Sequence, residues 1–475
     1  MSDGRTDGEP RSELVVPLRA LMPRGAGHQF VIYADSCSGV PGAPHETTFA
    51  SVNRIVARLT PVPEFICFPG DEIAGLATDD EALRRQWRHW LEHEMAWLDR
   101  SRIPLYQTTG NHTTWDEASE RVFREMLPHL PRNGPAGQEG LSYFVRRKDL
   151  LLVFVNTASS ALGGEGRVET QWLDQTLAGH ADARHKIVVG HHPAHPINGF
   201  SGAFQREIEP SNARAFWEVL VRHNVLAYVC SHILAFDVQA HDGVLQILTA
   251  GAGTAHRMPV EHEYLHCVQA AVDERGLRYQ VLDKDGALRE WLAWPLPLSP
   301  AEEWSPFEAG ELAGPLFDSR RETGRARVAA WEFSGTTSSS CEGTSQTLLS
   351  TAGAGSALAP VWIGLMGTEQ RLCVLLSPAP GRSAHLWHGP LLPSAKPFSF
   401  QLAIHTGMGP GGILWRRDDI SRWSSLEAAS PWGAEQIEAS NRWLVGHGER
   451  GPTDRPFRGS NLRLKSYLHL SELER

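Results

Sequence analysis

Five short polar clusters stand out along the chain: Asp35-Ser36-Cys37, Gly70-Asp71-Glu72, Gly110-Asn111-His112, Gly190-His191-His192-Pro193 and Ser231-His232. Carboxylate, carboxamide and imidazole groups are oxygen and nitrogen donors, and together they suit a divalent cation of hard to borderline character. A cation held this way lowers the pKa of bound water and neutralises charge on a reacting oxygen, so the chemistry on offer is hydrolytic. Taken singly, G-D and G-N pairs are common turn residues, and His191 or His232 would pass for a hydrogen-bonded histidine at a strand end. Five clusters in series favour one shared site.

Such a site needs elements that bring its members to one edge. Apolar runs at 30–34, 65–68, 103–106, 150–155, 187–189, 225–229 and 244–248 have the length of buried strands, and each cluster follows one of them. Between them, 82–98 places Leu83, Trp87, Leu91 and Leu98 on one helical face, and 212–223 does the same with Phe216, Val219 and Leu220. Strands alternating with helices predict a layered α/β domain, whose ligands bind at the carboxyl ends of the strands.

The set resembles the five blocks of the calcineurin-like metallophosphoesterases, D-x-H, G-D, G-N-H, G-H and G-H-x-H. It spans Tyr33 to about Gly253 and includes Ala250-Gly251-Ala252-Gly253, similar to the family's glycine turn. The purple acid phosphatase and cyclic-nucleotide phosphodiesterase branches are the nearest in look. The resemblance implies a four-layer α/β/β/α sandwich and a divalent transition metal (zinc, manganese or iron), one or two ions per chain. It casts Asp71 as the bridging carboxylate, with Asn111, His191 and His232 completing one metal site and Asp35 in the other. His112 would sit beside the phosphate as proton donor or transition-state stabiliser. The implied substrate is a small-molecule phosphoester attacked by metal-activated water.

Two positions depart from that pattern. Cys37 stands where the first block has histidine, and Leu234 where the fifth has its second. Leucine cannot ligate. Cys37 reads either as a thiolate ligand, which would favour a softer ion, or as a small packing residue. Asp116, Asp237, His241 and His256 lie close enough in sequence to backfill. Loss of half the metal centre also suits a non-catalytic binding module or a repurposed metal-dependent reaction. His89-Trp90-Leu91-Glu92-His93 matches the inverted zinc-peptidase pattern H-x-x-E-H, but the apolar stripe of its helix turns both histidines toward the polar face.

The order of elements divides the chain into a flexible leader (1–27), a catalytic domain (28–295), a Pro-rich linker (296–327) and an all-β domain (328–475). The last has short β-like runs between Gly- and Pro-rich turns and resembles a concanavalin/laminin-G jelly roll, a fold that in places contacts sugars or proteins. Trp415, Trp423, Trp443 and the Asp418-Asp419 pair there read as core and turn residues. A net charge of -10 argues against a nucleic-acid backbone as partner. The opening residues lack a signal-peptide profile and no apolar run is long enough to span a membrane, while six scattered cysteines (37, 67, 230, 267, 341, 373) suit a reduced, cytoplasmic setting.

Overall fold

Alternation along single strands sets the layering. The structure, a computed structural model, describes residues 18–158, 160–200, 206–253, 263–308, 310–311, 325–339, 345–351, 359–377, 383–417, 422–430, 442–448 and 455–472. Most of the leader, Cys341, His256 and the Asp418-Asp419 pair lie outside them. In chain order the N-terminal domain runs β1 (Gly27–Ile32), α1 (Pro44–Val56), β2 (Ile66–Phe68), α2 (Asp80–His89), β3 (Leu105–Gln107), α3 (Glu117–Met126), β4 (Tyr143–Arg147) and β5 (Leu150–Phe154). It continues with α4 (Thr170–Gly179), β6 (His185–Val189), α5 (Pro210–Arg222), β7 (Ala227–Cys230), β8 (Phe236–His241), β9 (Val244–Thr249), β10 (His266–Asp273), β11 (Gly276–Asp283) and β12 (Leu288–Trp294).

These strands form two six-stranded mixed sheets, ordered β12-β11-β10-β1-β2-β3 and β4-β5-β6-β7-β9-β8. On β5, Leu150, Leu152 and Phe154 enter the core shared with the first sheet, whereas Leu151 and Val153 join Leu173 and Leu177 of α4 and Phe216 and Leu220 of α5. β6 and β7 split in the same way, with Ile187 and Val229 inward and Val188 and Tyr228 outward. Strands buried on both faces read as unbroken apolar runs, which is why they were legible in sequence. The first sheet is covered by α1 and by α2 with its extension, where Phe49 and Trp90 pack edge-on against Phe68. The result is the expected four-layer α/β/β/α sandwich.

The predicted helix at 82–98 ends earlier. α2 stops at His89 and gives way to a π-helical turn, Trp90–Glu94. Leu83, Trp87, Leu91 and Leu98 are all buried, as their spacing requires. His89 pairs with Glu46 (Nε2 to Oε1, 2.8 Å) and stacks on His93.

The C-terminal region is a pair of antiparallel sheets. One orders Ser305–Pro306, Ser460–Glu472, Arg325–Thr336, Pro397–His405, Ile413–Arg417 and Ser424–Ser425. The other orders Gly310–Glu311, Arg442–Val445, Gln346–Thr351, Val361–Met366, Arg371–Leu376, His385–Leu391 and Glu427–Ala428. Trp331, Phe333 and Phe400 of the first pack against Ile363, Val374 and Trp387 of the second, which makes a sandwich. Within 296–327, Ser305–Pro306 and Gly310–Glu311 pair with its strands and a long strand already begins at Arg325. The docked parts of that interval are held by main-chain hydrogen bonds, to which proline content is no guide.

The two regions share a core. Ala330, Ala403, Met408, Leu414 and Trp423 belong to the same apolar cluster as the first sheet of the N-terminal domain. Asn198 donates to Leu426 O (3.0 Å) and accepts from Ala428 N (2.7 Å), and Ala240 N donates to Ser425 Oγ (3.0 Å). Among the described residues, no helix is long and apolar enough to cross a membrane.

Candidate metal centre

The polar clusters leave both sheets at their carboxyl edges. Asp35, Asp71 and Asn111 follow β1, β2 and β3 of one sheet; His191 and His232 follow β6 and β7 of the other. Neighbouring loops are tied to one another. Asp35 N donates to Gly70 O (3.2 Å), Cys37 N to Asp71 O (2.8 Å) and Ser231 N to His191 O (2.8 Å). Asp35, Cys37, Asp71 and His232 take positive φ (62, 42, 55 and 71°), a conformation uncommon for residues with a Cβ and concentrated at functional sites. Gly110 has a different reason to be glycine, since a Cβ there would lie 2.2 Å from Asp71 Oδ1.

Three ligand atoms gather around His191 Nε2. His191 Nε2 lies 3.2 Å from Asp71 Oδ2, 3.1 Å from Asn111 Oδ1 and 3.1 Å from His232 Nδ1, and Asn111 Oδ1 lies 2.8 Å from His232 Nδ1. The other nitrogen of His191, Nδ1, sits 2.9 Å from the carbonyl of Pro69, which can only accept, so Nδ1 carries the proton. Ser231 Oγ donates to the same carbonyl (2.7 Å) and fixes the ring further. In neutral His191, Nε2 is therefore a lone pair facing the oxygens of Asp71 and Asn111. A knot of acceptors, buried as Asp71 and His191 are, needs a positive charge at its centre.

A metal ion would meet that need. The separations of 2.8–3.2 Å match the edges of a coordination shell with ligand bonds of about 2.1 Å. Asp35, Asp71 and His191 form a second group of donors within 4.8 Å of one another, and Cys37, Asp71 and His112 a third. Asp71 is common to both, as a bridging carboxylate would be. His112 N donates to Asp71 Oδ1 (2.9 Å), and its Nδ1 pairs with Ala74 O (2.8 Å).

Electrostatics agree with this arrangement. Burial works to raise the Asp71 carboxyl, yet His191, with His112 and His232, outweighs it and holds Asp71 well below the usual carboxylate range. Burial also opposes charge on His191, but Asp71 and Asp35 overcome it and raise its pKa to about 9. Without a metal, that proton is the positive charge in the knot. Burial, then neighbouring imidazoles, pushes His232 far below its ordinary value, which leaves it neutral and able to ligate. Asp35 is pushed up to about 7, chiefly by burial.

Around the centre are residues that the sequence did not single out. Glu165 Oε1 lies 3.0 Å from His192 Nε2 and 3.8 Å from His232 Nε2, and Arg206 reaches Glu165 at 3.1 Å. Thr157 Oγ1 holds His192 Nδ1 at 2.8 Å. These contacts join segments far apart in the chain, and no local pattern announces them.

The three backfill candidates among the described residues go elsewhere. Asp116 caps α3, accepting from Ser119 N (2.7 Å). Asp237 accepts from Gln239 Nε2 (2.6 Å), and His241 stacks on His195 with centroids 3.7 Å apart. His195 and His241 line a cleft of about 690 Å³ between the two domains with Asn198, Glu207, Gln239 and Leu426, and none of the five clusters reaches it. This cleft and the donor cluster are therefore different places, and the donor geometry marks the latter.

No family model matches the chain, and no curated protein does. Among solved structures it is similar to a purple acid phosphatase from yellow lupin (12% identity, 57% of this chain, 54% of that one, TM-score 0.43). It is similar also to a dimetal phosphatase from Danio rerio (14%, 54% and 95%, 0.36). Both are calcineurin-like metallophosphoesterases. The chain spans about half the length of the lupin enzyme. A carbohydrate-binding module of a Ruminococcus gnavus sialidase overlaps 34% of the chain at 16% identity and a TM-score of 0.23. With TM-scores this low, the reading of the site rests on its own donor geometry.

Proposed function

We propose that the chain is a metal-dependent phosphoesterase acting on a small-molecule phosphoester. The observation that carries this reading is the gathering of Asp71 Oδ2, Asn111 Oδ1 and His232 Nδ1 within 3.2 Å of His191 Nε2, with His191 locked in the ligating tautomer by Pro69 O. Those four residues would hold the ion. When bound, a divalent metal there supplies Lewis acidity and a water of lowered pKa.

The remaining work belongs to the chain. Asp71, buried and anionic, fixes the negative side of the site and, through its second oxygen, the His112 main chain. His112 is held at Nδ1 by Ala74 O, which leaves Nε2 to hold a proton beside a leaving oxygen. Ser231 and Pro69 O orient His191, and Glu165 faces the outer nitrogen of His232.

Turnover of p-nitrophenyl phosphate and bis-p-nitrophenyl phosphate with added manganese, zinc or iron tests the reading. Hydrolysis of either that disappears in Asp71→Asn supports it. A second reading, a metal-holding binding module, is favoured by one observation: the chain carries Leu234 and Cys37 where the resembled pattern has two histidine ligands. Protein that retains metal and hydrolyses neither ester would decide for that second reading.

A further inference from the structure

The altered half of the centre is more than a deletion. Cys37 is 4% exposed, its backbone has φ 42°, and its N–H is anchored to Asp71 O (2.8 Å). Ser38 and Ile73 form a parallel bridge just beyond, so the loops carrying Cys37 and Asp71 are locked together. From the third loop comes His112, whose main chain is fixed by Asp71 Oδ1 and whose Nδ1 is spent on Ala74 O. A sulfur, a carboxylate oxygen and a ring nitrogen of these three residues lie within 4.8 Å of one another.

A thiolate, an imidazole and a carboxylate make a softer donor set than Asn111, His191, His232 and Asp71, and one that selects zinc-like or cadmium-like ions over magnesium or manganese. A ligand bond also has a consequence for His112. With Nδ1 held by a carbonyl, Nε2 is the nitrogen with a lone pair, and a nitrogen bound to a metal cannot carry a proton to a leaving group.

We propose that Cys37, Asp71 and His112 form a thiolate-containing subsite for a soft divalent cation, and that filling it withdraws His112 from proton transfer and so shuts the site off. On this view Cys37 makes the centre asymmetric, with one ion for chemistry and a second, thiophilic ion as inhibitor. The thiol proton is released to solvent as the cation binds. The shut-off depends on the phosphoesterase reading; the subsite itself does not.

Cadmium titration of metal-free protein tests this, followed by thiolate-to-cadmium absorption in the near ultraviolet and by equilibrium dialysis, in a Cys341→Ser background that removes the cysteine outside the described residues. The expected result is two equivalents bound, with the absorption present in the parent and absent in both Cys37→Ser and Cys37→Ala. His112→Ala should weaken the absorbing equivalent roughly tenfold or more. In manganese-loaded protein, cadmium should suppress ester hydrolysis in the parent and not in Cys37→Ser. Two equivalents without thiolate absorption, or absorption that survives Cys37→Ser and Cys37→Ala when circular dichroism shows both folded, would overturn the subsite. Absorption that persists in His191→Ala, in a protein that hydrolyses no ester, would keep the subsite and reject the phosphoesterase reading.

Discussion

His191 Nε2 and His232 Nδ1 stand 3.1 Å apart, and neither can satisfy the other while both rings are neutral and ligating. Two imidazoles are held close, their planes 74° apart, because their strands, β6 and β7, are parallel neighbours paired from Ile187↔Ala227 to Val189↔Val229. What keeps each ring aimed is a set of hydrogen bonds beyond the donors. Ser231 Oγ, 2.9 Å from His191 Nδ1 and donating to Pro69 O, is one of them. Ser231→Ala should lower metal affinity by roughly 10- to 100-fold while the fold stays intact. Equilibrium dialysis beside a thermal melt separates the two effects, and an unchanged affinity would remove Ser231 from the orienting set.

Gly110 tests the crowding at Asp71. In Gly110→Ala the new methyl would meet Asp71 Oδ1 at 2.2 Å and Asp71 N at 2.6 Å, so the carboxylate must move. Overpacking of this kind costs about 1–3 kcal/mol, and the displaced carboxylate should reduce metal content. Full metal content at parental stability would show that the loop has room the structure does not show.

Metal-free protein should respond to pH through the Asp71–His191 pair. The His191 pKa is raised to about 9 by Asp71 and Asp35 against burial, so its contribution is fully present below its ordinary value of about 6.5 and is lost as pH rises through about 9. The Asp71 carboxyl is depressed, so its share is lost only in strong acid. Melting temperature of the metal-free form should therefore fall between neutrality and about pH 9. Metal binding near neutrality should release about one proton, seen as a dependence of binding heat on buffer ionisation enthalpy. No proton release would mean that His191 is already neutral, and that a different group balances the acceptors.

Much of this architecture can be read from the chain, and physical reasons divide what can from what cannot. Strands buried on both faces give continuous apolar runs, so β2, β5, β6, β7 and β9 are visible together with the clusters that follow them. The hairpins of β10, β11 and β12 are hidden because buried polar residues interrupt them: His266, Gln269, Arg278 and Gln280 are nearly solvent-free, and Gln280 donates to Gln269 across the pair (2.6 Å). Donor identity is legible because each candidate donor lies within a few residues of the carboxyl end of its strand. Glu165, Arg206 and Thr157 are not, since their roles arise from loops that meet only in the fold. The ends of the connection at 296–327 fail for a similar reason: pairing with distant strands leaves no mark in its own composition.

The shared core makes a prediction about dependence between the domains. A chain truncated after Pro297 would keep every donor of the metal centre, and by composition alone it looks separable. Yet it would lose Ala330, Ala403, Met408, Leu414 and Trp423, which are all buried in the cluster that includes the first sheet. It would also strip the partners from Asn198, a buried side chain that donates to Leu426 O and accepts from Ala428 N. Each buried polar group left unsatisfied costs about 1–3 kcal/mol. The truncated chain should therefore bind hydrophobic dye and aggregate, whereas Trp423→Ala in the full chain should remain folded but lose about 3–5 kcal/mol. Denaturant melts and light scattering check both. A truncated chain that stays monomeric, melts cooperatively and holds its metal would show that the C-terminal sandwich rests on an N-terminal domain already complete without it.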